Sequence, residues 1–217
     1  GIGFFDEVLE RLRDGEEERP VMEGAEYAEV DPSSVGFDPV ASFALIYGTG
    51  PVVAGSGSGG AGGRQVLAST TLSKAFEAAS AAPEIDAIIF RIDSPGGSAM
   101  ASDLVWRATQ RAREKGKPVI ASSSDVAASG GYYVACGADR IVSQPATYTG
   151  SIGVFVLRPT LGGLFEKFGV GVESMTRGEH ADLLLASRPL SPPTRRRLRA
   201  DVRSVYQTFV DRVAEGR

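Results

Sequence analysis

Short hydrophobic stretches alternate with amphipathic ones from about residue 41 onward. Apolar runs bounded by turn residues are typical of buried strands, and apolar residues that recur every three or four positions indicate helices. The predicted strands are residues 41–47, 87–92, 119–122, 140–143, 152–157 and 170–175. The predicted helices are residues 66–79, 101–114, 129–137, 161–168 and 192–215. Because helices connect successive strands, the pattern predicts an α/β fold with a mostly parallel sheet covered by helices.

Two segments stand apart from this alternation. Residues 3–12 predict a short amphipathic helix, and the charged, helix-breaking residues 14–20 follow it. We therefore expect residues 1–40 to be a connecting segment and residues 41–217 to be the folded domain. Residues 55–63 are almost all glycine and serine. That composition is too flexible to hold one shape, so we expect a mobile loop there.

Composition argues against several classes of function. Cys136 and His180 are the only residues of their types, so an internal disulfide and a zinc-type Cys/His cluster are excluded, and we expect neither a metal nor a cofactor. The net charge of −4 argues against a nucleic-acid partner, whose binding requires a basic face. The arginines of residues 195–203 lie among apolar residues at helical spacing. They more simply form the solvated face of an amphipathic helix than a membrane or partner surface.

Hydropathy also bears on the location of the chain. No apolar run approaches the roughly 20 residues that a membrane-spanning helix needs, and the first residues do not resemble a signal peptide. We expect the chain itself to be soluble. It begins at Gly1 rather than at a methionine, which fits either a processed product or an excised piece of a longer protein.

A glycine-containing turn follows the predicted strand 87–92. Residues 94–98 read Ser-Pro-Gly-Gly-Ser and precede a predicted helix. Two glycines allow the backbone to turn there and to point amide hydrogens into open space, where they can bind an anion. Taken alone, this segment is more simply a strand-to-helix turn in which Ser98 caps the helix.

A second segment of the same kind makes a catalytic interpretation stronger. Ser129 lies among small residues at the predicted start of a helix, so a substrate can approach it closely. The amide of Gly130 would point at the carbonyl oxygen that Ser129 attacks, and the helix dipole would favour the developing negative charge. Two such segments after neighbouring strands favour an oxyanion-binding site over two capping serines.

Five motifs, taken together and in order, resemble the signal peptide peptidase A (protease IV) family. They are residues 88–98, 116–119, 125–133, 138–141 and 149–154. The resemblance covers most of residues 41–217. It implies the Clp-protease/crotonase type of fold, built from repeated ββα units with helices outside and often assembled into rings.

The resemblance also implies a catalytic apparatus. The family uses a Ser/Lys dyad, in which a neutral lysine accepts the serine proton and a covalent acyl-enzyme forms. By motif, Ser129 would be the nucleophile, and Gly97 and Gly130 would donate the two amides of the oxyanion hole. Ser151 would help to hold the lysine amine.

The family's lysine has no counterpart at the expected position. In short members it lies downstream of the serine, where this chain has residues 177–182, Arg-Gly-Glu-His-Ala-Asp. The four lysines of the chain are predicted on helix surfaces or in a turn: Lys74, Lys115, Lys117 and Lys167. In long members, the first of two tandem repeats supplies the lysine and the second supplies the serine. The resemblance therefore implies that this chain is a second repeat, and that an upstream repeat is its partner.

From the resemblance we expect a serine endopeptidase that degrades cleaved signal peptides and other short hydrophobic peptides. We expect its parent protein to form a homo-oligomeric ring or bowl at the bacterial cytoplasmic membrane. Three alternatives stay open. His180 is a rival general base, since an imidazole titrates near neutral pH. The second alternative is a non-catalytic, peptidase-derived scaffold that binds partners. The third is a crotonase-type acyl-CoA enzyme that uses the same paired amides.

Overall fold

A computed structural model describes residues 29–31, 34, 36, 40–57 and 65–216. The chain divides into two compact units, Gly1–Val40 and Ala41–Arg217. In the first unit, the amide and the hydroxyl of Ser34 both donate to the carbonyl oxygen of Asp31, at 2.9 and 2.6 Å. The helix predicted at residues 3–12 lies outside the described residues.

The second unit alternates strands and helices. Its strands are β1 (Phe43–Thr49), β2 (Val52–Val53), β3 (Leu67–Ala68), β4 (Ala87–Ser94), β5 (Val119–Ala128), β6 (Arg140–Val142) and β7 (Tyr148–Gly150). Its helices are α1 (Ser69–Ala81), α2 (Ala99–Glu114), α3 (Gly130–Ala135), α4 (Gly162–Lys167), a 3-10 turn (Ala181–Leu184) and α5 (Pro192–Glu215).

The strands pair in parallel. The main sheet has the order β1-β4-β5-β6, and β7 also pairs with β5, while β2 and β3 form a small second sheet. Strand β5 is long enough to hold β6 near its beginning and β7 at its end. The predicted α/β fold class, with a mostly parallel sheet covered by helices, is confirmed.

The core lies between the main sheet and the helices α1 and α2. Ile88, Phe90 and Ile92 alternate along β4 and are fully buried, as expected for one face of a strand. Phe76 of α1 meets Phe90 edge-on, with ring centroids 5.1 Å apart. Val105 of α2 belongs to the same cluster. Burial on this scale fixes the sheet, and with it the positions of the strand ends that form the site.

Helix ends agree with the sequence. Ser98 caps α2 by accepting a hydrogen bond from the amide of Ala101 at 3.3 Å. Ser191 caps α5 in the same way. Pro192 and Pro193 occupy the first positions of α5, where an amide hydrogen would have no acceptor within the helix, so the missing N–H of proline costs no hydrogen bond.

Two predicted strands are wrong. Residues 152–157 and 170–175 have no regular secondary structure and join no ladder among the described residues, and β7 (Tyr148–Gly150) pairs instead. Phe155 is 88% exposed and Met175 is 99% exposed. A short apolar run indicates that a segment has side chains to bury, but it does not supply a neighbouring strand edge, so the pattern alone could not assign a sheet.

The glycine-rich loop is described only in part. The amide of Gly55 donates to the hydroxyl of Ser69 at 3.3 Å, and the amide of Gly57 donates to the hydroxyl of Thr71 at 3.1 Å. The first residues of the loop are therefore held against the start of α1. The rest of the predicted mobile loop, residues 58–63, lies outside the described residues. Within the described ranges, the helices are too short or too polar to cross a bilayer.

Candidate active site

Ser129 occupies a constrained turn between β5 and α3. Its φ is 51° and its ψ is −119°, a backbone conformation that residues other than glycine seldom adopt. Within the described residues, Ser151 is the only other non-glycine residue with a positive φ, at 49°. Backbone strain of this kind persists only where the surroundings enforce it, and it is concentrated at functional sites.

The two strained serines follow neighbouring strands. Ala128 and Gly150 are paired in the last rung of the β5–β7 ladder, and the amide of Ser129 donates to the carbonyl oxygen of Gly150 at 2.9 Å. The hydroxyl of Thr149 donates to the carbonyl oxygen of Ala127 at 2.8 Å. Ser129 and Ser151 therefore leave the same edge of the sheet side by side.

The backbone of Gly96 and Gly97 approaches Ser129 from a third direction. A Cβ atom on Gly96 would lie 2.5 Å from the amide nitrogen of Gly130 and 2.8 Å from Cβ of Ser129. A Cβ atom on Gly130 would lie 3.0 Å from the amide nitrogen of Gly97. Only glycine fits at these contacts, because any side chain would push the two segments apart.

Strand β2 holds the first of these segments in position. The amide of Val52 donates to the carbonyl oxygen of Gly96, and the amide of Ser98 donates to the carbonyl oxygen of Val52, both at 2.9 Å. This parallel bridge leaves the Gly97 amide on its far side. The amides of Gly97 and Gly130 have no acceptor in the described part of the chain. Two adjacent unpaired donors beside a serine hydroxyl form a geometry suited to an oxyanion.

These groups open into a cavity of about 510 Å³. Its polar end contains the four predicted site residues: Ser129, Ser151, Gly97 and Gly130. Its apolar wall contains Ala99, Tyr133, Val154, Phe155, Val205 and Phe209. The cavity can therefore place an apolar side chain beside Ser129, and the catalytic roles of the four residues stay predictions.

The lysines lie elsewhere in the structure. Lys74 and Lys167 are exposed. The amine of Lys115 donates to the hydroxyl of Ser80 at 3.3 Å, and that of Lys117 donates to the carbonyl oxygens of Ala82, at 2.9 Å, and Ile85. None of the four lines the cavity.

His180 also lies outside the set of residues that line the cavity. Its Nδ1 lies 3.3 Å from the hydroxyl oxygen of Thr194, near the start of α5. The hydroxyl of Thr194 also donates to the carboxylate of Asp182, which accepts a second bond from the amide of Ser191 at 2.8 Å. These bonds lower the pKa of Asp182 to about 2. His180 thus belongs to a helix-start network, and it does not line the cavity.

Sequence reasoning missed the residues that form the apolar wall. Tyr133 lies within a recognised motif, but nothing in the motif indicated that its ring would line the cavity. Val205 and Phe209 lie in the predicted helix 192–215, and helical spacing does not reveal which surface the apolar face of a helix covers. Val154 and Phe155 fell in a segment predicted as a strand.

Comparison with known proteins identifies relatives. Residues 111–217 match the profile of peptidase family S49. The chain is 38% identical to "Serine protease SPPA, chloroplastic" of Arabidopsis thaliana over 223 aligned positions, which cover 100% of this chain and 33% of that protein. It is 38% identical to "Protease 4" of Haemophilus influenzae, over 61% of this chain and 22% of that protein.

Solved structures give more distant likenesses. A membrane-bound stomatin-specific protease is 26% identical, with a TM-score of 0.35, over 56% of this chain and 48% of that one. ClpP1 of Listeria monocytogenes is 20% identical, with a TM-score of 0.33, over 43% of this chain and 46% of that one. The chain spans a third or less of the length of the first two relatives. The sequence relatives and the family match give one result: this chain belongs to the signal peptide peptidase A family, within peptidase family S49.

Proposed function

We propose that this chain is the nucleophile-bearing part of a serine endopeptidase whose general base is a lysine outside these 217 residues. One observation supports the proposal above others. Ser129 stands at a strained turn next to the two unpaired amides of Gly97 and Gly130, at the polar end of an apolar cavity. Structural serines that cap helices use their hydroxyl on the helix itself, as Ser98 does, whereas Ser129 makes no side-chain cap bond.

The chemistry follows from this arrangement. The lysine amine accepts the proton of Ser129 as its Oγ attacks the peptide carbonyl carbon, and the carbonyl oxygen becomes negatively charged. The amides of Gly97 and Gly130 stabilise that charge. The carbon–nitrogen bond then breaks, and the leaving amine takes the proton from the lysine ammonium. Water, deprotonated by the same lysine, hydrolyses the acyl-enzyme ester and frees Ser129.

Ser151 has a supporting role in this scheme. It leaves the sheet edge beside Ser129, so its hydroxyl is suited to accept a hydrogen bond from the lysine amine and to keep that amine directed at the nucleophile. A lysine must be neutral to act as a base, and exclusion from water favours that state.

We infer further properties of the parent protein from its family. Cleaved signal peptides and other short hydrophobic peptides fit a cavity with an apolar wall. An upstream repeat of the same polypeptide would supply the lysine and connect through residues 1–40. The parent protein would assemble as a homo-oligomeric ring or bowl at the bacterial cytoplasmic membrane.

A second function is favoured by one specific observation. No lysine or histidine lines the cavity formed by the described residues, as expected for a scaffold that has lost catalysis. The paired free amides and the strained serine argue for the peptidase, because a binding scaffold has no need to maintain either. The acyl-CoA alternative is weaker still, since that chemistry uses the amides but no nucleophilic serine.

The deciding experiment is covalent labelling with a peptidyl phosphonate, followed by mass spectrometry of the labelled peptide. The chain is tested alone and with the upstream half of the parent protein. Labelling of Ser129 only with the upstream half supports a split Ser/Lys site, and labelling of the isolated chain places a base within these residues. No labelling under either condition favours the scaffold. Ser129→Ala should abolish labelling, whereas Ser204→Ala, at an exposed position of α5, should label like the wild type.

A further inference from the structure

The C-terminal helix α5 forms part of the cavity wall. Val205 and Phe209 lie one helical turn apart and both line the cavity that contains Ser129. Phe209 is 2% exposed, whereas Val205 is 36% exposed. Phe209 is therefore packed in place, and Val205 is available to contact a substrate that enters the cavity.

An aromatic contact joins this wall to the helix that follows the nucleophile. The amide of Tyr133 donates to the carbonyl oxygen of Ser129 at 2.9 Å, so Tyr133 lies one turn into α3. Its ring stacks on that of Phe209, with centroids 4.6 Å apart and planes inclined by 30°. A shift of α5 would therefore disturb the first turn after Ser129.

One carboxylate connects three helices behind this contact. Asp103 of α2 accepts a hydrogen bond from the hydroxyl of Tyr133 at 2.8 Å, and the same oxygen atom accepts one from Nε of Arg212 at 3.2 Å. Helix α2 follows the Gly97 turn, α3 follows Ser129, and α5 forms the wall. Asp103 thus links both oxyanion segments to the residues that bound the cavity.

Arg212 is less exposed and has more contacts than the arginine of a surface ion pair in the same helix. The guanidinium of Arg212 also lies over the Trp106 ring, 3.9 Å from its centroid, an arrangement that holds a cation in place. The Arg212 side chain is 27% exposed, against 64% for Arg197, whose ion pair with Asp201 lies within the same helix. Burial, with the Asp103 hydrogen bond, raises the pKa of Tyr133, which keeps the phenol a neutral donor.

We propose that Asp103 and Arg212 are positioning residues that fix α5 as the wall of the side-chain pocket, and so determine which substrate side chains Ser129 accepts. The inference rests on the proposed function, because it assumes that the cavity receives the apolar side chain next to the bond that is cut. It assigns substrate selectivity in part to Asp103 and Arg212, which lie behind the pocket rather than within it.

The test uses the full parent protein and phosphonate probes that differ only in the side chain beside phosphorus, alanine, leucine or phenylalanine. The measured quantity is the ratio of second-order labelling rates at Ser129. Arg212→Ala and Asp103→Asn should each reduce the leucine-to-alanine ratio about tenfold, since a well-formed apolar pocket discriminates by about 10- to 200-fold. Arg212→Lys should recover part of the ratio, and Arg197→Ala should leave it unchanged.

Val205 provides a direct control for the wall itself. Val205→Phe should narrow the pocket and reverse the preference towards the alanine probe, while its exposed position spares the fold.

Equal ratios for Arg212→Ala and the wild type, with a lowered melting temperature, would mean that the ion pair only stabilises the protein. Wild-type protein that no probe labels would contradict the proposed peptidase function instead.

Hydrogen exchange tests the positioning role without any turnover. Arg212→Ala should accelerate amide exchange in α3 as well as in α5, by about tenfold or more, because opening of α5 removes the support of α3. Arg197→Ala should change neither helix. Acceleration confined to α5 would overturn the proposal, because it would show that the nucleophile helix does not depend on the ion pair.

Discussion

The amide of Ser129 donates a 2.9 Å hydrogen bond to the carbonyl oxygen of Gly150, the residue that precedes Ser151. This hydrogen bond aligns Ser129 with Ser151. In the described part of the chain, these are the two residues other than glycine that have a positive φ. Parallel strands end at the same sheet edge, so β5 and β7 deliver both serines to one point. The strain is thus shared by two positions that the sheet holds together.

Strain at Ser129 predicts a trade-off between stability and activity. Ser129→Gly removes the Cβ atom that disfavours a φ of 51°. It should stabilise the protein relative to Ser129→Ala by about 1–3 kcal/mol, the usual cost of such a conformation. Urea denaturation of the two variants measures the difference. Both variants lack the hydroxyl, so neither should be labelled by the phosphonate. Equal stabilities of the two variants would show that the turn is unstrained.

Ser151 allows chemistry to be separated from backbone strain. In the full parent protein, Ser151→Ala and Ser151→Gly should each lower peptide turnover by about 10²-fold, typical of losing a group that supports general-base catalysis. Only Ser151→Gly relieves the φ of 49°, so it should unfold at a urea concentration at least as high as Ser151→Ala does. Turnover retained by both variants would remove Ser151 from the catalytic scheme.

Close packing of the two glycine segments predicts a sharp dependence on one methyl group. Gly96→Ala places a Cβ atom 2.5 Å from the Gly130 amide nitrogen, so the two segments must separate. Labelling of Ser129 should fall by at least about 10²-fold, the loss seen when one oxyanion donor is removed. Gly163→Ala is the matched control, since a Cβ atom there meets nothing within 4 Å. Equal labelling of the two variants would mean that these amides do not serve the reaction.

The sequence predicted the sheet better than it predicted the cavity. Strands β4 and β5 could be foreseen because their apolar runs need burial, and Ser129 and Gly130 could be singled out because both lie within one short motif. Phe209 could not be placed against Tyr133, since that contact joins residues far apart in the chain and depends on how α5 packs. Local pattern determines local conformation, whereas the cavity wall arises from tertiary packing.

The network at the start of α5 predicts a dependence of stability on acid. The hydroxyl of Thr194 and the amide of Ser191 hydrogen-bond the Asp182 carboxylate and lower its pKa from 3.8 to about 2. A carboxyl with a lowered pKa in the folded state stabilises the protein fully above the unfolded value, here about pH 4, and the contribution is lost as the pH falls through 2. Asp182→Asn should therefore unfold at lower urea than the wild type at pH 7, and the gap should close as the pH approaches 2. Asp201→Asn, which breaks only the exposed pair with Arg197, should show a small effect. A gap that is constant between pH 2 and pH 7 would show that ionisation of Asp182 contributes nothing to the helix start.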